Sequence, residues 1–343
     1  MAYTTIDDPT EYFETTIFTG NGSTQNITGL NFQPDWIWYK RTNSTNHHRL
    51  IDSVRGSNKN IATDLANAEN TEATYVSSFN SDGWSIGSNT DINASNDTIV
   101  AWAWKAGGSA SSNSDGSITS SVSASTTSGF SVVSYTATNA NATVGHGLGQ
   151  ALDMLIVKNR DSSKDWRVWF KGFSGTQRFE LNNTEARAST GTSWNGTVPT
   201  SSVFSLGDDT NTNNSTDKYI AYCFAGKKGY SKFGTYTGNS NTNGTFVYTG
   251  FKPAWIMVKK INSANDEWNM FDNKRDDDNV ITQRLVANIT AANAAGTYVD
   301  FVSNGFKWRI NNNLANGDGN TYIYMAFAES PFVNSNGVPG NAR

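Results

Sequence analysis

One strand-like motif occurs three times in this chain, and it constrains the fold more than any other feature. The copies read DTIVAWAWKAGG from Asp97, DKYIAYCFAGKKG from Asp217 and NTYIYMAFAESPF from Asn320. Successive side chains of a strand point to opposite faces, so each copy has two apolar faces. One face carries the bulkier residues Val100, Trp102 and Trp104, with Ile220, Tyr222 and Phe224 or Ile323, Met325 and Phe327 in the other copies. Such a strand is typical of the interior of a packed sheet.

A second strand motif precedes each copy at a nearly constant distance. It reads PDWIWYKRTN from Pro34, LDMLIVKNRD from Leu152 and PAWIMVKKIN from Pro253. The spacing from its first lysine to the start of the other motif is 57, 59 and 61 residues (97−40, 217−158 and 320−259). A repeat of this length is too long for a solenoid unit and suits a tandem array of small domains.

The repeats predict an all-β fold of three tandem β-sandwich domains of the jelly-roll or lectin-like type. We expect the domains to span residues 17–108, 129–227 and 228–330. Residues 109–128 are dominated by serine and are expected to form a linker. The remaining parts are a short N-terminal arm, residues 1–16, and a surface tail, residues 331–343.

The N-terminal arm combines acidic residues with the aromatic residues Tyr3, Tyr12 and Phe13. An arm of this composition can dock on a partner, and we interpret the three aromatic residues as an anchor. The alternative interpretation is a terminal strand or a short turn that packs on the first domain.

Composition argues against several classes of partner. Charged residues make up 16% of the chain, the formal net charge is -4 and the pI is near 5.4. No basic cluster exceeds a pair such as Lys227 and Lys228, so no nucleic-acid partner is expected. No apolar stretch reaches the roughly 18 residues of a membrane span. The N-terminus lacks a basic flank followed by an apolar run, so we expect no signal peptide and synthesis in a cytoplasm.

The residues that commonly carry catalysis form no recognisable pattern. The three histidines are His47, His48 and His146, and none belongs to a triad or a metal-binding motif. Cys223 occupies a position that is alanine in the other copies, so we interpret it as a small buried residue. We therefore expect no enzymatic activity, no cofactor and no metal site.

Two stretches resemble calcium loops in part, namely residues 91–97 and NGDGN from Asn316. Both lack the bidentate glutamate that completes an EF-hand loop, and the turn-forming tendency of Asn, Asp and Gly explains them without an ion. Calcium stays open here as the alternative interpretation.

Tryptophan is frequent for so polar a chain, and packing in a core is its default interpretation. A strand with aromatic residues on both faces must present one face to a neighbour, a second chain or a ligand. The stretch DWRVWFKGF contains Trp166 and Trp169 on opposite faces of such a strand. We select Trp166 and Trp169 as candidate glycan-binding residues, because tryptophan stacks on sugar rings.

Two stretches resemble a known family. They are similar to a repeat family of tail-fibre-like and other virion structural proteins of tailed bacteriophages, especially phages of marine bacteria. The first stretch, at the start of the chain, reads MAYTTIDDPTEYFETTIFTGNGSTQNITGLNFQPDWIWYKRTN, and the second reads SFNSDGWSIGSNTDINASNDTIVAWAWKAGG. The first repeat matches closely and the third fairly well, whereas the second has Met154 and Ile156 in place of Trp36 and Trp38. The resemblance implies a virion location and a β-sandwich fold, and it brings no catalytic residues.

The resemblance leads to one main functional hypothesis and two alternatives. The main hypothesis is a tail fibre or tail appendage protein, made in the host cytoplasm, that contributes to host attachment. Tyr3, Tyr12 and Phe13 would then anchor the chain to other virion proteins, and analogy with phage fibres implies a homotrimer. The alternatives are a capsid decoration protein and a lectin-like module that binds host surface polysaccharide.

Overall fold

The computed structural model describes residues 2–189, 191–276 and 278–340. Across these ranges the chain is all-β, as its sequence predicted, with only a single 3₁₀ turn and two four-residue helices besides the strands. None of the helices in the described ranges has the length and hydropathy to cross a membrane.

The strands follow the repeats of the sequence. The first repeat contains the 3₁₀ turn (Pro9–Glu11), β1 (Phe13–Thr19), β2 (Gln25–Thr28), β3 (Trp36–Arg41), β4 (Arg49–Asp52), β5 (Lys59–Asn60), β6 (Asn70–Thr71), β7 (Val76–Asn80), β8 (Gly83–Ile86), α1 (Thr90–Asn93) and β9 (Thr98–Trp104). The second contains β10 (Ser111–Asn113), β11 (Ser120–Ser125), β12 (Phe130–Thr136), β13 (Ala142–Gly145), β14 (Met154–Asn159), β15 (Arg167–Phe170), β16 (Gln177–Arg178), β17 (Ala188–Ser189), β18 (Val203–Leu206), α2 (Thr210–Asn213) and β19 (Lys218–Phe224). The third contains β20 (Ser231–Thr237), β21 (Phe246–Tyr248), β22 (Phe251–Lys260), β23 (Asn269–Asp272), β24 (Ile281–Val286), β25 (Ala294–Val302), β26 (Gly305–Trp308) and β27 (Thr321–Pro331).

Each repeat builds the same antiparallel four-stranded arrangement. The strand orders are β1-β9-β3-β4, β12-β19-β14-β15 and β20-β27-β22-β23. The two motifs recognised in the sequence therefore form the two inner strands in every case. Smaller strand groups, β2-β8-β7, β13-β18 and β21-β26-β25, recur at equivalent places in the chain, and in the third repeat β24 joins the two groups into one eight-stranded sheet.

The bulky faces of the three four-stranded sheets meet in one shared core. Trp36 of the first repeat stacks on Tyr222 of the second, with ring centroids 4.5 Å apart. Trp104 meets Trp255 of the third repeat at 5.7 Å, and Phe224 meets Phe327 at 6.2 Å. Every pair of repeats is thus in aromatic contact, and the three sheets surround a pseudo-three-fold axis. The opposite faces of the first and third sheets pack inside their own repeats, in two separate clusters.

Buried charge pairs connect the repeats around this core. Arg55 donates to Asp52 at 2.5 Å, and both side chains are fully buried. Asp52 also accepts from the Tyr222 hydroxyl at 2.9 Å, across the boundary with the second repeat. Asp272 and Arg275 form the equivalent pair in the third repeat, where the Trp102 indole donates to Asp272 at 3.2 Å. In the second repeat the two equivalent positions are Phe170 and Phe173, so aromatic packing replaces the ion pair.

Two segments differ from the sequence expectations. The serine-rich stretch, residues 109–128, was predicted to be a linker, but it forms β10 and β11, and β11 pairs with β12 at the edge of the second sheet. Backbone pairing, which needs no apolar side chains, explains why its composition was misleading. The first sheet begins at Phe13 rather than at residue 17, so the end of the predicted arm belongs to β1. In the predicted tail, Val333 bridges to Pro339; residues 341–343 lie outside the described residues.

Candidate functional site

The boundaries between repeats form three equivalent grooves beside the opening strands β1, β12 and β20. Their equivalence follows from the register, because Phe13, Phe130 and Ser231 pair with Trp104, Phe224 and Phe327 of the central strands. The groove beside β12 is occupied by β11. The grooves beside β1 and β20 are open, and their linings differ.

The open groove beside β20 is basic, and we call it the lysine groove. Its volume is about 490 Å³, and its lining includes Tyr3, Asp153, Lys171, Lys227, Lys228, Lys232 and Tyr248. Four lysines and one carboxylate leave a formal charge of +3 (4−1) on a chain whose net charge is -4. The carboxylate is already paired, since Lys171 Nζ lies 2.9 Å from Asp153 Oδ1. The groove therefore favours an anionic ligand.

The fold fixes these lysines by different means. The eight-stranded sheet folds back until its two edge strands approach each other, and Lys232 on β20 donates to the carbonyl of Tyr248 on β21 at 2.7 Å. Partial burial lowers the pKa of Lys232, and the nearby positive charge of Lys171 lowers it further. Burial also lowers the pKa of Lys227. An anion in the groove would relieve this mutual repulsion and so bind more favourably.

Aromatic side chains border the lysine groove. Lys228 Nζ lies 4.3 Å from the centroid of the Tyr3 ring, and Lys232 Nζ lies 5.0 Å from that of Tyr248. The Tyr3 hydroxyl donates to the Gly250 carbonyl at 2.9 Å and lies 3.0 Å from the Tyr248 hydroxyl. Tyr248 and Phe246 alternate with a buried valine on β21 and are 46% and 45% exposed. The groove thus combines cations with exposed aromatic surface.

The open groove beside β1 is nearly neutral, and we call it the β1 groove. It consists of two cavities of about 280 and 490 Å³ that share Glu14, Thr15 and Lys274 in their linings. Glu14 and Lys274 form an ion pair of 3.0 Å across the boundary between the first and third repeats. Glu329 also lines the groove and is paired with Lys252 at 2.7 Å.

Trp166 and Trp169, the glycan candidates from the sequence, lie inside the protein. Trp166 is fully buried and donates from its indole nitrogen to the Ala62 carbonyl at 3.0 Å, across a repeat boundary. Trp169 is 4% exposed on β15. Neither ring offers a face to a sugar in this structure. The intervening Arg167 is also buried and paired with Asp209 at 2.9 Å, so both faces of this strand are covered by the protein itself.

The three aromatic residues proposed as an anchor occupy three different environments. Phe13 is buried in the shared core and stacks on Phe327 with centroids 5.1 Å apart. Tyr12 is half-buried and packs edge-on against Tyr230 at 6.0 Å. Tyr3 is half-buried in the lysine groove. The arm therefore lies on the protein itself, mainly on the third repeat.

The two calcium-like stretches each contain a buried asparagine with a structural role, and the second repeat has an equivalent asparagine. Asn93, Asn213 and Asn316 are fully buried, and the side-chain nitrogen of each donates to two backbone carbonyls. In the first repeat, for example, these are the carbonyls of Ser23 and Gly87. These bonds fix the loop before each central strand. Among the described residues, no group of three or more His, Cys, Asp or Glu side chains is arranged to hold a metal ion.

A buried lysine also recurs in every repeat. Burial lowers the pKa of Lys40 to about 8, that of Lys158 to about 7 and that of Lys259 to about 8, and nearby aspartates oppose the effect. Lysines with lowered pKa values are frequent at catalytic sites. These three instead donate to backbone carbonyls, and neither open groove includes them in its lining.

His48, His146 and Cys223 are buried, whereas His47 is partly exposed and pairs with Asp64 at 2.6 Å. Trp38 donates to Nδ1 of the buried His48 at 2.8 Å, which places the proton of the neutral ring on Nε2. Burial lowers the pKa of His48 well below its usual value. Burial raises the pKa of the Cys223 thiol, so that residue is an inert part of the core.

A family model described as a domain of unknown function, DUF7483, matches residues 8–331. The chain belongs to the DUF7483 family. The match spans all three repeats and ends with β27, so the family domain is the whole pseudo-three-fold unit. No curated protein and no solved structure matches this DUF7483 chain.

Proposed function

We propose that this chain is a non-enzymatic structural protein of a bacteriophage virion, a tail fibre or tail appendage that contributes to host attachment. The resemblance of the first and third repeats to tail-fibre-like proteins supports a virion location. We further propose that each repeat is a β-sandwich of the jelly-roll or lectin-like type and that the protein, made in the host cytoplasm, needs no cofactor.

The lysine groove is the main support for the proposed attachment role. Four lysines and two tyrosines line one groove of a chain that is acidic overall. Ammonium groups bind the carboxylates or sulfates of an acidic polysaccharide, and exposed aromatic rings such as Tyr248 offer surface to sugar rings. We propose an acidic host surface polysaccharide as the ligand, so this groove replaces Trp166 and Trp169 as the candidate glycan site.

Binding to a polyuronate such as alginate tests this role, with neutral dextran as the control. We expect alginate to bind, and we expect binding to weaken with added salt because exposed charges are screened. The double variant Lys228→Gln/Lys232→Gln should lose most of the affinity. The matched control is Lys59→Gln/Lys218→Gln, which removes the same charge outside the groove and should bind normally. Equal loss in both variants, or equal binding of dextran, would refute a specific acidic-glycan site.

The position on the particle separates the main proposal from the capsid alternative. Antibody-labelled particles should show the protein on the tail, and label on the capsid would instead support a decoration protein. Anchoring to other virion proteins is proposed for the arm, but a deletion that reaches Phe13 would remove part of β1 and of the core. A shorter deletion, of residues 1–3, removes Tyr3 and keeps the buried Thr4 and Ile6, so unchanged incorporation into particles would exclude Tyr3 as an anchor.

Homotrimer formation is a proposal by analogy with phage fibres. The bulky aromatic faces of the three sheets are buried between the repeats of one chain, so they do not require a trimer to cover them. Light scattering on the purified protein decides the point, because a mass of one chain, 37.3 kDa, would exclude the trimer.

A further inference from the structure

The opening strand β1 has a free backbone edge. Lys105 N donates to Tyr12 O, and Gly20 N donates to Asp97 O, so the even-numbered residues of β1 bond to β9. The backbone N–H and C=O groups of Thr15 and Ile17 therefore point away from β9, toward the β1 groove. Ile17 is 39% exposed on this edge.

The second repeat shows how such an edge is covered. There the outward-facing residues are Val132 and Ser134, and they pair with Ser123 and Ser121 of β11. Thr15 and Ile17 are their equivalents, because the register of each opening strand on its central strand is the same. The same strand edge is thus paired with another strand in the second repeat and, among the described strands, unpaired in the first.

Each of the three grooves has a glycine at an equivalent position. The atoms that an added Cβ would meet there show what lies in the groove. A Cβ atom at Gly147 would lie 3.1 Å from Ala124 Cβ and 3.2 Å from Val122 Cγ1, both on β11. At Gly250 it would lie 2.7 Å from the Tyr3 hydroxyl of the arm. At Gly29, beside β1, it would meet no described atom within 4 Å. The position that β11 fills in the second repeat is open in the first.

Buried polar atoms in the β1 groove point to a missing partner. Thr15 is 4% exposed and lines both cavities, yet no described residue offers its Oγ1 atom a hydrogen bond. The Oδ1 atom of Asn273, on the opposite wall, has no partner among the described residues either. Buried polar groups are nearly always hydrogen-bonded, so these two atoms favour an occupant with polar groups of its own.

From these observations we propose that the β1 groove binds an extended polypeptide strand of another protein, which pairs antiparallel with β1. The occupant resembles Ser120–Ser125 in chemistry: an uncharged strand of small polar and β-branched residues. A charged strand is disfavoured because the charges of Glu14 and Glu329 are already paired. Addition of a strand to a free edge is a common mode of peptide recognition, and it would give β1 the partner that β12 has. This inference does not depend on the attachment role.

A peptide of sequence SITSSVSAST, residues 117–126, is the probe. Its binding to the full-length protein is measured by fluorescence anisotropy. The control peptide carries proline in place of Ser121 and Ser123, which removes the N–H groups that would pair with the edge. We expect the first peptide to bind and the control to bind at least about tenfold more weakly, the equivalent of one or two lost hydrogen bonds. Equal binding of both peptides, or of neither, overturns the proposal.

Two proline variants test whether the peptide pairs with the edge of β1. Ile17→Pro removes an outward N–H without touching a bond to β9 and should weaken binding at least about tenfold. Thr235→Pro makes the equivalent change on β20 and should bind as the unmodified protein does. If Ile17→Pro binds normally, the peptide occupies another site and the proposal fails.

Hydrogen exchange on the unmodified protein provides a test that needs no variant. The amides of Thr15 and Ile17 should exchange quickly alone and at least about tenfold more slowly with the peptide, whereas those of Val132 and Ser134 should be slow throughout. Unchanged exchange at Thr15 and Ile17 contradicts the proposal. So does protection that appears without peptide and grows with protein concentration, because the occupant would then be a second copy of this chain.

Discussion

The buried lysine of the second repeat makes the stability of the protein depend on pH in a defined direction. The ammonium group of Lys158 donates to the carbonyls of Ala66 and Asn159 at 3.0 and 2.9 Å. Burial lowers its pKa from 10.5 to about 7, although Asp165 opposes the shift. The unfolded chain therefore binds a proton more tightly than the folded chain. Between these two pKa values, unfolding takes up a proton, so the free energy of unfolding rises with pH.

The size of the effect follows from the two pKa values. Below pH 7 the penalty for the buried charge is fully present, and it disappears as the pH approaches 10.5. Linkage with these values gives a gain of about 2 kcal/mol in the free energy of unfolding between about pH 7 and 9. Lys40 and Lys259 add to the slope in the same direction.

Urea unfolding at several pH values between about 7 and 9 measures the slope. Lys158→Met should flatten it by about 2 kcal/mol and stabilise the protein at neutral pH, because methionine has no charge to bury. The carbonyl of Ala66 keeps a partner in this variant, the backbone N–H of Lys164. Lys218→Met, at an exposed lysine, should leave the slope unchanged. A flat profile for the unmodified protein, or an unaltered slope in Lys158→Met, would refute the reasoning.

Three further predictions follow from the shared core and the buried polar groups. Trp36→Ala should lower the free energy of unfolding by about 3–5 kcal/mol. The variant should still unfold in a single calorimetric transition, since the repeats share one core, and separate transitions would show independent repeats. Asp52→Ala should lower the free energy of unfolding, measured in urea, by about 3–5 kcal/mol because it leaves Arg55 buried and unpaired. The double variant Asp52→Phe/Arg55→Phe should lower it less, because the second repeat has phenylalanine at both equivalent positions. Equal losses in the two variants would contradict this reasoning. Asn213→Ala should lower the free energy of unfolding by at least about 2 kcal/mol, because the buried carbonyl of Gly207 and the carbonyl of Ala140 lose their donor; a smaller loss would show that the loop reorganises.

The sequence predicted the strands better than their assembly. Alternation and spacing identified both inner strands of each four-stranded arrangement, and Trp102, Tyr222 and Met325 do occupy equivalent positions on their central strands. Alternation shows that a face is buried, but it does not show which surface covers it. The sequence therefore could not distinguish three separate cores from one shared core. The serine-rich strand was missed because its pairing depends on backbone groups that are the same in every residue.

The candidate site was predicted poorly because its members come from separate parts of the chain. Tyr3, Lys171, Lys232 and Tyr248 meet only after the third repeat folds beside the second and the arm returns to it. One signal was present, since Lys227, Lys228 and Lys232 lie within six residues, but a cluster of this size is common on ordinary surfaces. A ligand contact for the tryptophans was inferred because aromatic residues lie on both faces of the strand, and in the structure both faces are buried.

Triplication within one chain allows the three boundary grooves to differ, which a symmetric trimer does not allow. In a homotrimer the three boundary grooves would be identical, because each would be built from the same residues. Here the features that hold the core together recur in all three repeats, including the buried asparagine and the buried lysine, whereas the grooves have diverged. One groove holds β11, one gathers lysines around Tyr3, and one exposes the edge of β1. Because the core is shared, each groove is supported by two repeats, and a polar residue in its lining, such as Lys232, can change without altering the aromatic contacts that hold the three sheets together.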